Sequence, residues 1–330
     1  MDVAVIGLGL IGGSLLQALA QAGHRVTGYD ADPATRAQAH AQGWPVSGSV
    51  AEAVAGAELT ALAVPLPVLP EVIAQLAAYD GLITDVTSVK GPVRELAAKH
   101  GLRRFVGGHP MAGKETSGFA AAEPGLFDGC AWVLCLEPGE TELADWLTLA
   151  DLYTAMGARV VPITAAEHDR AVAQISHVPH LFASALARQL EGNPLAGTLA
   201  AGSFRDGTRV AATRAELIVA MCGGNATAVR EVLRGLLDGL ERMDAALATD
   251  PVRFLTPLVA AGSELRRHWP ARGGAPAELP ADADGCSIWV AAAAGSPRSR
   301  KIVSPSRQSG RKLTALIPRV MGDGEIHPDF

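Results

Sequence analysis

The first twelve residues constrain this chain more than any others. Val3–Ile6 is a short apolar run, and Gly7-Leu8-Gly9-Leu10-Ile11-Gly12 follows it directly and opens a helical pattern over Ile11–Ala22. A strand that empties into glycines and then a helix is the start of a βαβ unit, and so of a parallel sheet. Each glycine has its own task. Gly7 permits the tight turn, Gly9 lets the backbone approach a pyrophosphate, and Gly12 lets helix and strand pack closely. The helix start at Leu10 and Ile11 offers free N–H groups and a positive dipole end to the phosphates. Asp30 ends the second strand 18 residues after Gly12. Its carboxylate can accept both ribose hydroxyls and repels a 2′-phosphate, which favours NAD. Such a loop can also hold FAD, and Arg36 nearby leaves NADP open.

Beyond this unit the alternation continues. Arg25–Tyr29, Leu59–Val64, Leu82–Val86, Arg104–Val106, Trp132–Leu136 and Arg159–Ile163 read as strands, with helices such as Pro33–Ala41 and Pro67–Ala77 between them. From about Ala165 the strands stop, and amphipathic helices are expected over Ala165–Glu191, Ala226–Leu247 and Pro251–His268. In the second, Val229, Val232, Leu233, Leu236, Leu237, Leu240 and Met243 recur at three- and four-residue steps, a stripe for core or subunit packing. The reading is an α/β chain of three parts. Residues 1–164 form a Rossmann-type parallel-sheet domain that binds NAD, and residues 165–269 an all-helical substrate and dimerisation domain. Residues 270–330 form a tail without stable structure, rich in Pro, Gly, Ser and Ala.

Charge excludes some partners. The chain carries a net −6, which argues against general affinity for nucleic acid or anionic lipid, although residues 296–320 hold seven Lys or Arg and no acid. The four cysteines are scattered without a CxxC pair, and no apolar run approaches bilayer-spanning length or forms an export segment. A soluble cytoplasmic protein with no membrane partner is expected.

Ligands of open α/β sheets sit beyond the carboxyl ends of the strands. Three clusters fall there: Val64-Pro65, where the backbone would pass a nicotinamide; Thr84-Asp85-Val86-Thr87-Ser88-Val89-Lys90; and Gly107-Gly108-His109-Pro110-Met111-Ala112-Gly113. A histidine at a glycine-flanked strand end suits acid–base work, because its ordinary pKa lies near neutrality. His109 could equally be structural, and Thr87 and Ser88 could cap the following helix. His168, His177 and His180 raise the question of a metal. Nine residues at ~100° each set His168 and His177 on opposite faces of a straight helix, though Pro179 would kink it. There is no HExxH, and no metal is expected.

Taken together, GLGLIGGSL, TDVTSVK, GGHPMAG, SHVPH and SFRDGTR resemble the prephenate/arogenate dehydrogenase family, in that family's order and over residues 1–269. The resemblance implies a nucleotide domain followed by a helical domain that dimerises, the 6-phosphogluconate-dehydrogenase-like arrangement, with the active site in the cleft between them. It implies NAD-dependent oxidative decarboxylation of prephenate or arogenate in tyrosine biosynthesis, by a homodimer. His109 matches the family's catalytic histidine and Ser88 the serine that orients it through a hydrogen bond. His177 and His180 match the histidines of its substrate-site motif, and Arg209 the arginine that holds a substrate carboxylate. An arginine fork suits that task, since it stays charged and binds carboxylates bidentately.

Two features depart from the family. Lys114 stands where a small hydroxyl residue is usual; it can add a cation to the substrate site or pair with Glu115 beside it. The tail lacks the strand–helix alternation of a ligand-sensing domain. Two other readings share the glycine loop: a β-hydroxyacid dehydrogenase of the 3-hydroxyisobutyrate type, which would use a lysine of the helical domain, and an NAD-binding regulatory dimer without catalysis, which would need neither Ser88 nor His109.

Overall fold

The computed structural model describes residues 1–269 and, at the backbone level, the strands 275–279 and 313–317. A first sheet is built from β1 (Asp2–Ile6), β2 (Arg25–Tyr29), β3 (Leu59–Leu62), β4 (Leu82–Asp85) and β5 (Phe105–Val106), all parallel, in the order β2-β1-β3-β4-β5. The chain leaves β1 toward one side of the sheet and later crosses to the other, so the glycine loop after β1 lies at the switch point between β1 and β3. Val3–Ile6 of β1 is continuously apolar because both faces of the strand are covered. Val3 and Val5 enter one core with α1 (Leu10–Gln21), while Ala4 and Ile6 enter a second, on the opposite face. That opposite face is covered by α3 (Val50–Val54), α4 (Leu69–Ala74) and α5 (Gly91–Lys99), while α2 (Pro33–Ala41) follows β2.

The single parallel sheet expected from the sequence is in fact two. β5 is only two residues long, and at Gly107-Gly108 the chain leaves the first sheet for a second. A side chain at Gly108 would bring its Cβ within 2.7 Å of the Asp85 carbonyl oxygen, so only glycine allows this close passage. The second sheet begins with β6 (Gly108–Pro110), antiparallel to β7 (Ala131–Cys135), which runs parallel to β8 (Arg159–Ile163). α6 (Leu143–Ala155) packs on it, with Tyr153 stacked on Trp132 at 3.8 Å between ring centroids. In the tail, β9 (Ala275–Leu279) and β10 (Leu313–Ile317) pair antiparallel, and β10 meets β8 at Ala315 and Val160. The expectation for the rest of the tail lies outside the described residues.

A capping box of Thr164 and Glu167 opens the helical region with α7 (Ala165–Val172). The long helix expected to Glu191 is interrupted by a wide π-type turn, Ala173–His177, and resumes as α8 (Val178–Ala187), with Pro179 in its first turn where its missing N–H costs nothing. α9 (Pro194–Leu199), α10 (Gly202–Thr208), α11 (Ala215–Gly224), α12 (Ala226–Ala248) and α13 (Thr256–His268) follow. Val229, Val232, Leu233 and Leu236 of α12 pack on Ala173, Val178 and Leu181. Among the described residues no helix is long and apolar enough to cross a membrane.

Candidate active site

At the glycine loop, the φ of Gly7 is +98°, a conformation suited to glycine. A Cβ at Gly12 would lie 1.8 Å from the Gly7 carbonyl oxygen and 2.8 Å from the Ala63 side chain, so this glycine sets the closeness of α1 to the sheet. A Cβ at Gly9 would meet nothing within 4 Å. It faces open space above the loop, at the start of a helix with no side-chain cap, where its first N–H groups remain available to an anion. Asp30 braces the loop: its Oδ2 accepts the Leu8 N–H at 2.7 Å and its Oδ1 the Asp32 N–H at 2.9 Å. Arg36 is held over the Tyr29 ring and donates to the carbonyls of Asp30 and Ala31 at 2.6 and 3.1 Å. Val64 and Pro65 follow β3, with Val64 against Gly7. These features fit a dinucleotide: an open approach at one glycine, free helix N–H groups, and an acid at the end of β2.

Across the sheet Ile6, Leu62 and Asp85 are register partners, so Asp85 lies two strand spacings, ~10 Å, from the start of the glycine loop. Asp85 and Lys90 form a buried ion pair. Charges this deep are tolerable only when fully engaged. The Lys90 ammonium also donates to the Gly108 carbonyl at 2.6 Å and to Thr87 Oγ1 at 3.1 Å, while Asp85 accepts the N–H groups of Gly108 and Thr87 at 3.1 and 3.0 Å. Both sides of Gly108 are thereby fixed, and with them the start of His109.

His109 is half-buried on β6. Its Nδ1 lies 2.9 Å from Nε2 of His168, whose Nδ1 lies 2.8 Å from Asp169 Oδ1. Burial, then the charges of His168, Lys90 and His177, holds the His109 ring well below its ordinary pKa. His168 is also lowered, by burial that outweighs its carboxylate partner. These rings are neutral near pH 7, and Nε2 of His109 has no hydrogen-bond partner among the described residues.

Ser88 is placed differently from the sequence expectation. Thr87 and Val89 are turned inward, Thr87 bonded to Asp85 and to the Val89 carbonyl, so the residue between them is exposed and makes no hydrogen bond to His109. The partner of His109 Nδ1 is His168. Lys114 pairs with Glu123 at 2.5 Å and not with Glu115, which is exposed. His177 is buried, and its Nδ1 lies 3.3 Å from the Asn225 amide nitrogen; Nε2 is buried without a partner. Burial lowers its pKa to about 4. His180 is half-buried on α8 and donates from Nδ1 to the Ser176 carbonyl at 2.8 Å, leaving Nε2 as an acceptor. Arg209 opens the 3-10 turn Arg209–Ala212 that packs on α8, and its exposed guanidinium has no ion pair among the described residues.

The helix that carries His168 and His177 is not straight, being interrupted by the π-type turn. Its wider winding changes the phase of the helix and brings His177 within electrostatic reach of His168 and Asp169. Among the described residues no group of three or more His, Cys, Asp or Glu is arranged to hold a metal ion. Sequence reasoning missed Asn225, named Asp85 and Lys90 only within the cluster after β4 and without a role for either, and considered His168 only as a metal ligand. The adjacent His168-Asp169 pair after a capping box is the one trace the sequence holds.

Two family models match the chain: prephenate dehydrogenase, nucleotide-binding domain, over residues 15–162, and prephenate dehydrogenase, dimerization domain, over residues 164–256. A prephenate dehydrogenase of Lactococcus lactis is 37% identical over 225 residues, 63% of this chain and 60% of that protein's length. A cyclohexadienyl dehydrogenase of Zymomonas mobilis is 32% identical over 267 residues, 77% of this chain and 90% of its own. Among solved structures, the prephenate dehydrogenase of A. aeolicus in complex with hydroxyphenyl propionate and NAD+ superposes with a TM-score of 0.75 at 25% identity, covering 82% of this chain and 98% of that one.

Proposed function

Because the chain belongs to the prephenate dehydrogenase family, we propose that it catalyses the NAD-dependent oxidative decarboxylation of prephenate to 4-hydroxyphenylpyruvate, or of arogenate to tyrosine. The observation that carries this reading is His109, a neutral histidine with an unengaged Nε2, fixed beside the end of β4, two strands from the nucleotide loop. NAD would bind along Gly7, Gly9 and Gly12, with Asp30 at its ribose and Val64-Pro65 beside the nicotinamide, and supplies the hydride acceptor when bound.

His109 Nε2 takes the proton of the ring hydroxyl as hydride leaves the same carbon. Carbon dioxide then departs, its bonding electrons complete the aromatic ring, and His109 returns the proton to the phenol oxygen. No net proton is consumed. Arg209 suits a substrate carboxylate, and the partnerless Nε2–H of His177 is a donor that a substrate oxygen would satisfy. His180 Nε2 is a further contact. Lys114 and Glu115 lie on the segment after β6 and would border the site. The reading makes the protein a cytoplasmic homodimer joined through its helical region.

Absorbance at 340 nm separates this reading from its rivals. Reduction of NAD with prephenate or arogenate is expected. Turnover of 3-hydroxyisobutyrate alone would assign the chain to the β-hydroxyacid class, and NAD binding without turnover of any of the three would make it a non-catalytic binding dimer.

A further inference from the structure

We propose that His168 and Asp169, on the first helix of the helical region, are positioning residues that hold His109 with its proton on Nδ1 and its lone pair on Nε2. The proposal deepens the reading of His109 as the base and rests on it.

An ionised carboxylate only accepts hydrogen bonds. Burial pushes the Asp169 carboxyl up, but hydrogen bonds from His168 and from the N–H groups of Lys90 and Gly91 hold it below its ordinary range, so it is ionised near neutrality. Oδ1 accepts the Lys90 N–H at 2.8 Å and Oδ2 the Gly91 N–H at 2.8 Å, and Oδ1 lies 2.8 Å from His168 Nδ1. His168 must therefore carry its proton on Nδ1. A neutral ring then presents a lone pair at Nε2, 2.9 Å from Nδ1 of His109. Two lone pairs do not face each other at that distance, so His109 donates. Its other nitrogen, Nε2, is left as the acceptor a base requires.

The frame around this chain is anchored on both sides. Asn225 donates to the Asp169 carbonyl at 2.6 Å, the carboxylate is tied to the start of α5, and Gly108 beside His109 is held by Asp85 and Lys90. When Nε2 takes the substrate proton, the imidazolium stands two hydrogen bonds from the Asp169 carboxylate. That charge offsets the opposing Lys90 ammonium while the ring is oxidised, until the proton goes back to the product oxygen. The arrangement spans the two regions: the base comes from one and its orienting pair from the other.

Asp169→Asn and a matched pair at His168 test this. Turned with its oxygen on the Gly91 N–H, the amide gives up the Lys90 N–H, presents its NH2 to His168, reverses the chain and places the His109 proton on Nε2. A fall in kcat of ~10²–10⁴-fold is expected, with KM and NAD affinity changed about threefold or less. His168→Gln keeps an acceptor near the position of Nε2 and should retain kcat within about tenfold, whereas His168→Leu should match Asp169→Asn. Nitrogen-15 NMR of ring-labelled protein at pH 8, assigned with His109→Asn, reads the tautomer without reference to activity. The expected result is His109 protonated on Nδ1 in the wild type and on Nε2 in Asp169→Asn. A wild-type His109 protonated on Nε2, or equal activity in His168→Gln and His168→Leu, overturns the proposal. An active His109→Asn variant instead removes the base reading of His109, and the NMR result still distinguishes that failure from failure of the positioning role.

Discussion

In the nucleotide region the chain covers its own apolar surface, and in the helical region it does not. Val3, Ala4, Val5 and Ile6 of β1 are all at or below 2% exposure, sandwiched between two cores built from the same chain. On α12 the same kind of apolar stripe is only partly closed: Val229 and Ala246 are 4% exposed, but Leu237 is 48% and Leu247 58%. α13 has no buried residue, and Val259, Leu265 and Trp269 stand exposed along it. Exposed apolar faces of this extent mark an interaction surface. The difference locates self-sufficiency in the first region and an uncovered apolar surface in the other, where the proposed homodimer would join. It also explains why the site lies at the joint, where His109 from the rigid sheet meets His168 and Asp169 from the start of the helices.

The largest effect is expected where the regions meet. His109→Asn should lower kcat by ~10²–10⁴-fold with modest change in KM, since the variant loses proton transfer and keeps most of the surface that binds substrate. Normal kcat in this variant would move the base elsewhere, with His177 the next candidate, and shift the chemistry to the helical side of the comparison.

A smaller effect separates two glycines of the self-contained region. Gly12→Ala drives a Cβ against the Gly7 carbonyl and the Ala63 side chain, so α1 must move off the sheet, at a cost of about 1–3 kcal/mol or more. Its Tm should fall and nucleotide binding should be lost with it. Gly9→Ala meets open space and should leave Tm unchanged while weakening NAD binding. Equal Tm values for the two variants would mean that α1 is not as tightly seated as its contacts imply.

In the open region, Leu237→Glu combined with Leu240→Glu places charge on exposed apolar positions of α12. Light scattering at about micromolar concentration should find the wild type dimeric and the variant monomeric. Calorimetric NAD affinity should hold within a few-fold, because the nucleotide region closes its core alone. A wild-type monomer would sink the comparison at its root.

What the sequence disclosed follows the same division. The glycine loop, Asp30 and the strands of the first sheet were legible because each depends on neighbours within a few residues: a turn, a helix start, a continuous apolar run. The glycine-flanked strand end marked His109 as a candidate, and the family resemblance of GGHPMAG gave it a role. Its partner was not legible, because His168 is 59 residues away and reaches His109 only after the chain has entered a second sheet and turned into the helices. The inward turns of Thr87 and Val89 that expose Ser88 come from local bonds of Thr87 to Asp85, Lys90 and the Val89 carbonyl, which hydroxyl and charged residue types alone do not announce. The π-type turn at Ala173–His177 carries no periodicity signal of its own, so the long helix was read straight through it.

Acid response is the smallest effect, and it should divide the two regions. His109, His168 and His177 all have folded pKa values below the ordinary histidine value of 6.5, each chiefly because burial disfavours the charged ring, and His177 falls to about 4. As a base His109 works only when neutral. The kcat/KM profile should therefore stay level as pH falls through 6.5 and drop only below it, in contrast to the limb near neutrality that a histidine of ordinary pKa would give. Stability carries the same sign. Below about 6.5 the unfolded chain protonates these histidines while the folded chain does not, so the unfolded state binds more protons. This contribution is fully present above 6.5 and is lost as pH falls from there toward about 4, the folded value of His177. Two of the three rings, His168 and His177, belong to α7 and the turn after it. Hydrogen exchange at pH 5 should therefore quicken first in α7 and α8, while the amides of β1, β3 and β4 keep their protection. Earlier loss of protection in those strands would show that the acid-sensitive element is the sheet and not the helices packed against it.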